Sequence, residues 1–215
     1  MTEQPGPRTT YRHGDLRRAL IEAGTELARE GGPDAVVLRE VTRRAGVTPN
    51  AAYRHFADKS ALVRAVSLAA QSRLAAAMEE EQSAIADDVD GRKSVAALAQ
   101  AKLRAVGAGY LRFAQTEPGL FRTAFANHVD IRDAATEESA GAHGRTPFQL
   151  LSDALDELVD AGVLSADRRG GAEFVAWSSV HGLAMLVIDG PLRGLDATQR
   201  LVAAQRLLEM VQNGI

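Results

Sequence analysis

LREVTRRAGVTPNAAYRHFADK, residues 38–59, is the stretch from which the rest of the chain is read. Leu38, Val41 and Ala45 recur at the spacing of one helix face, and Gly46 stands where a short helix would stop. Thr48 offers a hydroxyl to cap the next helix, and Pro49 fills its first position, where a missing N–H costs nothing. Two short helices joined by Gly46-Val47-Thr48 must cross steeply; the glycine permits the turn, and Val47 can plug the space between them. The spacing predicts a helix-turn-helix whose second helix runs to about Phe56. On that helix Asn50, Tyr53 and Arg54, flanked by Pro49, share one face, while Ala52 and Phe56 share the other. The first face carries what a duplex needs: a phenol that donates to phosphate, an arginine that pairs with guanine and an asparagine that pairs with adenine. Any amphipathic surface helix can carry such groups, so the turn and the caps give this reading its weight.

Asp58 reads as the cap of a long helix through Leu62, Val66, Ala70, Leu74 and Met78 to Glu79-Glu80-Glu81. Lys59 stands in its first turn, where a cation opposes the helix dipole at a cost of about 0.3–1 kcal/mol. A DNA phosphate would reverse that sign, and the free N–H groups of the helix terminus would join the clamp beside Tyr53 and His55. The competing reading is a solvated lysine.

Outward from this centre, periodicity predicts helices almost everywhere; only Val36-Val37-Leu38 is strand-like. A first helix spans about Gly14 to Arg29 and ends at Gly31-Gly32-Pro33. Beyond the turn Asp87-Asp88-Val89-Asp90-Gly91, helices are expected at about Val95–Gln115, Pro118–Asn127, Pro147–Asp160, Gly171–Ile188 and Ala197–Gln212, with a mobile loop from Asp133 to Thr146. The expected fold is all-α with about nine helices. A flexible arm at 1–13 leads to a three-helix helix-turn-helix domain at 14–60, joined to a larger helical domain at 61–215, for which ligand sensing and dimerisation are expected on the motifs and the resemblance given below.

The 215 residues suffice for a core without covalent staples. The absence of cysteine excludes disulfides, thiolate metal sites and cysteine nucleophiles, and it fits a reducing compartment. The net charge of −3 divides unevenly: ten Lys/Arg face eight Asp/Glu in residues 1–60, a net +2, so the surplus of acid lies in the remainder. A basic head on an acidic body suits a DNA partner. Residues 1–12 lack the apolar core of a secretory signal, and no run of about eighteen apolar residues occurs. A cytoplasmic protein without a membrane partner is expected.

RRAGVTPNAAYRHFADKSALV, residues 43–63, together with the first helix and its Gly31-Gly32 ending, resembles the DNA-binding region of TetR-family regulators over roughly residues 12–66. The resemblance implies that the third helix enters the major groove as one half of a dimer. It places Thr48, Tyr53, His55 and Lys59 on phosphates, and Pro49, Asn50, Ala51 and Arg54 at base-reading positions. Two positions depart from the family pattern. Val37 stands where Ser or Thr commonly caps the second helix, a cap worth about 1 kcal/mol, leaving Asp34 as an alternative. Ala52 stands where a larger aliphatic is common. Arg8, Arg12 and His13 form an arm that could touch DNA, against the plainer reading of a disordered tail.

WSSVHGLAML, residues 177–186, and EPGLFRTAF, residues 117–125, resemble one class of TetR-family C-terminal domains. On a helix Trp177, His181 and Met185 or Ile188 share a face, and Gly182 admits another backbone. Phe113, Phe121, Phe125, Phe148 and Trp177 with His128 or His181, and Met185 beside them, supply the group types of a ligand pocket. A satisfied core histidine among packing aromatics is the alternative. One helix-turn-helix meets too few bases, so two copies are required. The resemblance places the dimer interface on the last two helices, at Gly182 and the stripe Leu201, Ala204, Leu208 and Val211; an intramolecular core competes.

Together these features predict a ligand-responsive, sequence-specific transcription regulator, a repressor that holds a palindromic double-stranded DNA operator as a homodimer and leaves it on binding a small-molecule effector. No cofactor, no metal and no catalysis are expected. The enzyme alternative would rest on Asp87, Asp88 and Asp90 as a magnesium cluster, but position 97 is Ala where a calcium loop needs Glu, and no phosphate-binding glycine loop occurs. A helical adaptor that has lost DNA binding is disfavoured by the retained Tyr53, His55 and Lys59.

Overall fold

Apolar residues at helical spacing dictate the longer elements of the fold, seen in a computed structural model that describes residues 13–87, 94–126 and 135–214. Helix α1 (His13–Gly31) turns Leu20, Ala23, Leu27 and Ala28 inward and is followed by a 3-10 turn at Pro33–Ala35. Helix α2 (Leu38–Arg44) begins at Val37 with no side-chain cap, so neither Asp34 nor any other side chain replaces the missing hydroxyl. The peptide N–H groups of Glu40 and Val41 bond instead to the Val37 carbonyl, at 2.9 Å each. Helix α3 (Pro49–Tyr53) follows, and α4 (Lys59–Asp87) starts where Asp58 Oδ1 accepts from the Ala61 N–H at 2.8 Å. Leu62, Val66, Ala70, Leu74 and Met78 of α4 are all buried, as their spacing predicts.

Helices α5 (Val95–Thr116) and α6 (Pro118–Ala124) pack on α4, and α6 also packs on α1. Helix α7 (Pro147–Asp160) carries a capping box, Thr146 with Gln149. A four-residue α8 (Ala166–Arg169), α9 (Ala172–Ile188) and α10 (Ala197–Gly214) complete ten α-helices, with no strand, among the described residues. The all-α expectation is met; the extra helix is α8, too short to leave a periodic signal. Helix α6 stops at Ala124, short of the expected Asn127. No described helix is long and apolar enough to cross a membrane.

One cluster of buried side chains runs from Leu20 to Val211, so head and body share a core. The boundary expected at 60/61 falls in the first turn of α4, a helix common to both. At the α1–α6 contact, Gly119 lies against the carbonyls of Ala28 and Arg29, where a β-carbon would overlap them. The segment expected to be a mobile loop is structured over 135–146. It contains a 3-10 turn at Glu137–Ser139, and the buried carboxylate of Glu79 accepts from the N–H groups of Ala142 at 2.9 Å and His143 at 3.1 Å. Ser72 adds a hydrogen bond to the Ala140 carbonyl at 2.6 Å. Arg8, Arg12, Asp88, Asp90 and His128 lie outside the described residues, as does most of the 1–13 arm.

Candidate nucleic-acid interface and ligand cavity

Gly46 adopts φ +68°, a left-handed conformation that a side chain would strain, and thereby lets α3 leave α2 at a steep angle. The Val47 N–H closes the turn on the Thr42 carbonyl at 3.0 Å. Val47 packs against the core, and Ala52 and Phe56 are buried beneath α3. The Arg17 guanidinium lies 5.8 Å from the centre of the Phe56 ring, a cation–π contact that ties α1 to the α3–α4 corner. The opposite side faces outward: Thr48, Pro49, Asn50, Tyr53 and Arg54 are exposed, Ala51 and His55 half-buried, and Lys59 exposed at the start of α4.

Two details differ from expectation. Thr48 occupies the cap position with extended backbone, but its hydroxyl makes no capping bond; the carbonyl alone receives the Ala51 N–H at 3.0 Å. Helix α3 also closes at Tyr53 instead of Phe56, because the N–H groups of both His55 and Phe56 turn back to the Ala52 carbonyl. Elsewhere on the head, Arg43 and Arg44 are neutralised in place by Glu40 and Glu30. Each carboxyl is held below its usual range by its arginine. These two cations of α2 are thus paired within the protein.

In the body, α4, α5, α7, α9 and α10 enclose a cavity of about 560 Å³, closed at one end by Ala124 and Phe125 at the C-terminal end of α6. Phe125, Phe148, Trp177 and His181 of the expected set line it. The other expected residues that the structure describes lie elsewhere, His128 being outside the described residues. Phe113 and Phe121 are core residues behind the wall, and Met185 is one turn beyond His181 and exposed, past the end of the cavity. Tyr110, Gln71 and Leu103 line it without having been expected. Tyr110 could have been found from the stripe Leu103, Val106, Tyr110, spaced as one face of a helix.

Tyr110 centres the polar chemistry. The Trp177 indole N–H, which can only donate, gives to the Tyr110 oxygen at 3.1 Å, and that oxygen lies 2.7 Å from His181 Nδ1. The buried phenol has no other acceptor described for its proton, so it donates to Nδ1. His181 is then the neutral tautomer with its proton on Nε2. Burial agrees with this assignment, lowering the His181 pKa and holding the Tyr110 phenol far above its ordinary range. Phe121 and Phe125 pack on the imidazole at centroid distances of 5.6 and 4.9 Å.

The expected dimer stripe divides. Leu201 is exposed and Ala204 half-buried, whereas Leu208 and Val211 are buried and line the cavity. These last two therefore serve the intramolecular core, the competing reading of that stripe. Gly182 is exposed, and among the described residues nothing beyond its own helical turn approaches within 4 Å of where its β-carbon would be.

Residues 20–66 match the model for bacterial regulatory proteins of the tetR family, and residues 103–211 match the tetracyclin repressor-like C-terminal domain. No curated protein sequence matches the chain. Among solved structures, a protein of unknown function from Rhodococcus sp. RHA1 is 25% identical, with a TM-score of 0.70 over 97% of this chain and 99% of that one. The transcriptional regulator FadR from Bacillus subtilis, solved in complex with stearoyl-CoA, is 15% identical, with a TM-score of 0.62 over 92% and 98%. A protein from Shewanella sp. PV-4 described as a tetR family transcription regulator is 15% identical, with a TM-score of 0.59 over 90% and 96%. At these lower identities the likeness is one of fold.

Proposed function

This chain belongs to the TetR family and is a transcription regulator, and from that premise we propose that it is a repressor that grips a palindromic operator as a homodimer and lets go when a small molecule fills its cavity. The observation that carries the DNA half is the two-sided character of α3. Ala52 and Phe56 anchor it, while Asn50, Tyr53 and Arg54 are exposed together, with Thr48 and Lys59 at the adjoining helix starts. In this reading Thr48, Tyr53, His55 and Lys59 hold phosphates, and Pro49, Asn50, Ala51 and Arg54 meet base edges. The uncommitted hydroxyl of Thr48 suits a phosphate contact, since it gives up no capping bond.

The dimer surface is carried by apolar side chains left exposed on α9 and α10: Val175, Met185, Leu186, Leu201, Val202 and Met210. Gly182 lies on the same exposed side of α9 and offers a partner helix a close approach. The cavity supports the effector half, and FadR, which shares the fold, was solved with stearoyl-CoA.

Replacing Tyr53 and Lys59 together by alanine removes two exposed groups without touching the core. Binding-site selection with the native protein supplies the operator. The double variant is expected to lose retention of that DNA in a gel assay while keeping its unfolding midpoint, and the native affinity is expected to fall steeply with salt. Undiminished retention by the double variant would remove the DNA assignment.

A further inference from the structure

The cavity is lined mostly by carbon. Its aromatic walls stand at angles: Phe148 meets Trp177 edge-on at 6.2 Å, and Phe125 is tilted against Trp177 at 6.1 Å. Such walls offer ring faces and edges to a flat guest. Set into them is His181, whose Nδ1 is occupied by Tyr110 and whose Nε2 has no hydrogen-bond partner among the described residues. The Trp177–Tyr110–His181 chain is directional, because the indole can only donate, and it leaves an N–H at the cavity surface.

The other polar side chains of the lining each hold a protein partner, the Ser178 hydroxyl donating to the Val175 carbonyl at 3.1 Å. The Gln71 side-chain amide donates to the Ala124 carbonyl at 2.9 Å, and the Thr146 hydroxyl accepts from the Gln149 N–H at 3.3 Å. Arg104 is the sole charged residue among the described lining residues; it is exposed, and its guanidinium donates to Gln212 Oε1. No carboxylate is among those residues, so a cationic guest would meet an arginine and an N–H dipole of the wrong sign. An anionic guest would exchange its hydration for a single exposed guanidinium, that of Arg104, already held by the neutral Gln212. Burying an unpaired charge costs more than such walls return.

We infer that the cavity takes an uncharged, ring-bearing molecule seated through a carbonyl or similar acceptor oxygen on the Nε2–H of His181. This inference rests on the reading of the cavity as the effector site and gives that effector its chemical class. The volume, about 560 Å³, lies in the ordinary range for small-molecule sites.

The test uses the full-length protein and four probes on one ring system: acetylnaphthalene, its oxygen-free analogue isopropylnaphthalene, naphthoate, and the naphthylmethyl-trimethylammonium cation. Binding is read by calorimetry and by quenching of Trp177, the single tryptophan of the chain and a wall of the cavity. The ketone is expected to bind about tenfold more tightly than the hydrocarbon, the difference between a made hydrogen bond and a buried N–H left bare. Both ions are expected to bind more weakly than the ketone. His181→Phe is expected to abolish the ketone preference while hydrocarbon affinity persists, which separates a lost hydrogen bond from a collapsed cavity. The inference is overturned if ketone and hydrocarbon bind alike, if the preference survives in His181→Phe, if either ion binds best, or if no probe binds. Should the ketone bind with a His181-dependent preference yet leave operator retention unchanged, the ligand chemistry stands and the effector reading falls.

Discussion

Tyr110 is the residue on which the polar interior turns, since it receives from Trp177 and gives to His181 with its own ring buried. Tyr110→Phe keeps the ring and its edge-on contact with Phe121 at 5.3 Å, but strands an indole N–H and an imidazole nitrogen. Leaving a buried polar group unsatisfied costs about 1–3 kcal/mol, so the midpoint of urea unfolding is expected to fall by that equivalent. An unchanged midpoint would mean that water replaces the phenol at no cost. His181 adds a pH dependence whose sign follows from burial. The groups facing it are Tyr110 on α5, Phe121 and Phe125 on α6 and Trp177 on its own helix, with Arg104 the charged group among the described cavity-lining residues. No carboxylate is among these groups to stabilise an imidazolium, and burial works against it. The folded pKa therefore lies below the 6.5 of a free imidazole, and between the two values the unfolded chain binds the proton more readily. Stability is expected to be free of this effect above about pH 6.5 and to decline as the pH drops below it, levelling off once the folded value is passed. Unfolding curves for the native protein and His181→Phe should diverge on acidification, with the native protein losing more; parallel curves would place the imidazole in water.

Among the elements, α4 does two jobs, carrying the head at one end and pinning the 135–146 segment with Glu79 further along. A glutamine at position 79 keeps one oxygen for two peptide N–H groups and points an amide at the other. Glu79→Gln is expected to destabilise by about 1–3 kcal/mol and to raise amide hydrogen exchange at Ala142 and His143 more than in α5 or α7. Equal protection in both proteins would show that the turn holds itself. That segment supplies Ala135 and Thr146 to the cavity wall, so its order bears on ligand binding. The sequence foresaw none of this, because a carboxylate meeting backbone amides more than sixty residues away leaves no periodic trace. Elements with a repeating face were legible: the buried stripe of α4, the inward Ala52 and outward Tyr53 of α3, and the glycine at the turn all follow from spacing and backbone stereochemistry. The stripe on α10 was legible as a stripe but not in its destination. Leu208 and Val211 could satisfy a partner helix or their own α5, and only the placement of α5 beside them decides for the second. Met185 fails similarly, since sharing a helix face with His181 does not say where along that face the cavity ends. The four-residue α8 falls below the length at which periodicity speaks.

In the molecule as a whole, α6 touches everything that a signal would have to cross. Its C-terminal Phe125 lines the cavity, and its Ala124 carbonyl accepts from both Ser67 and Gln71 of α4. Arg122 pairs with Asp189 at the end of α9, and Gly119 lies on the α1 backbone. Just before α6, Glu117 pairs with Arg29 of α1 at 2.8 Å, an ionic link from body to head between residues that neither line the cavity nor belong to α3. A ligand that displaces Phe125 would move α6, and α1 would follow only as far as such contacts hold. Half-exposed ion pairs are worth about 0–1 kcal/mol, and couplings between sites usually about 1–3 kcal/mol, so this link can supply a part of the response but not the whole. Glu117→Ala is therefore expected to leave acetylnaphthalene affinity and ligand-free operator affinity each within about twofold of native. The ligand-induced loss of operator affinity should shrink by up to about fivefold. Paired titrations, operator with and without ligand and ligand with and without operator, must give the same factor by linkage, which guards the result against error in either assay. A response of native size in Glu117→Ala would route the coupling through the close backbone contact at Gly119 and through α4, leaving the ion pair a surface ornament of the α1–α6 junction.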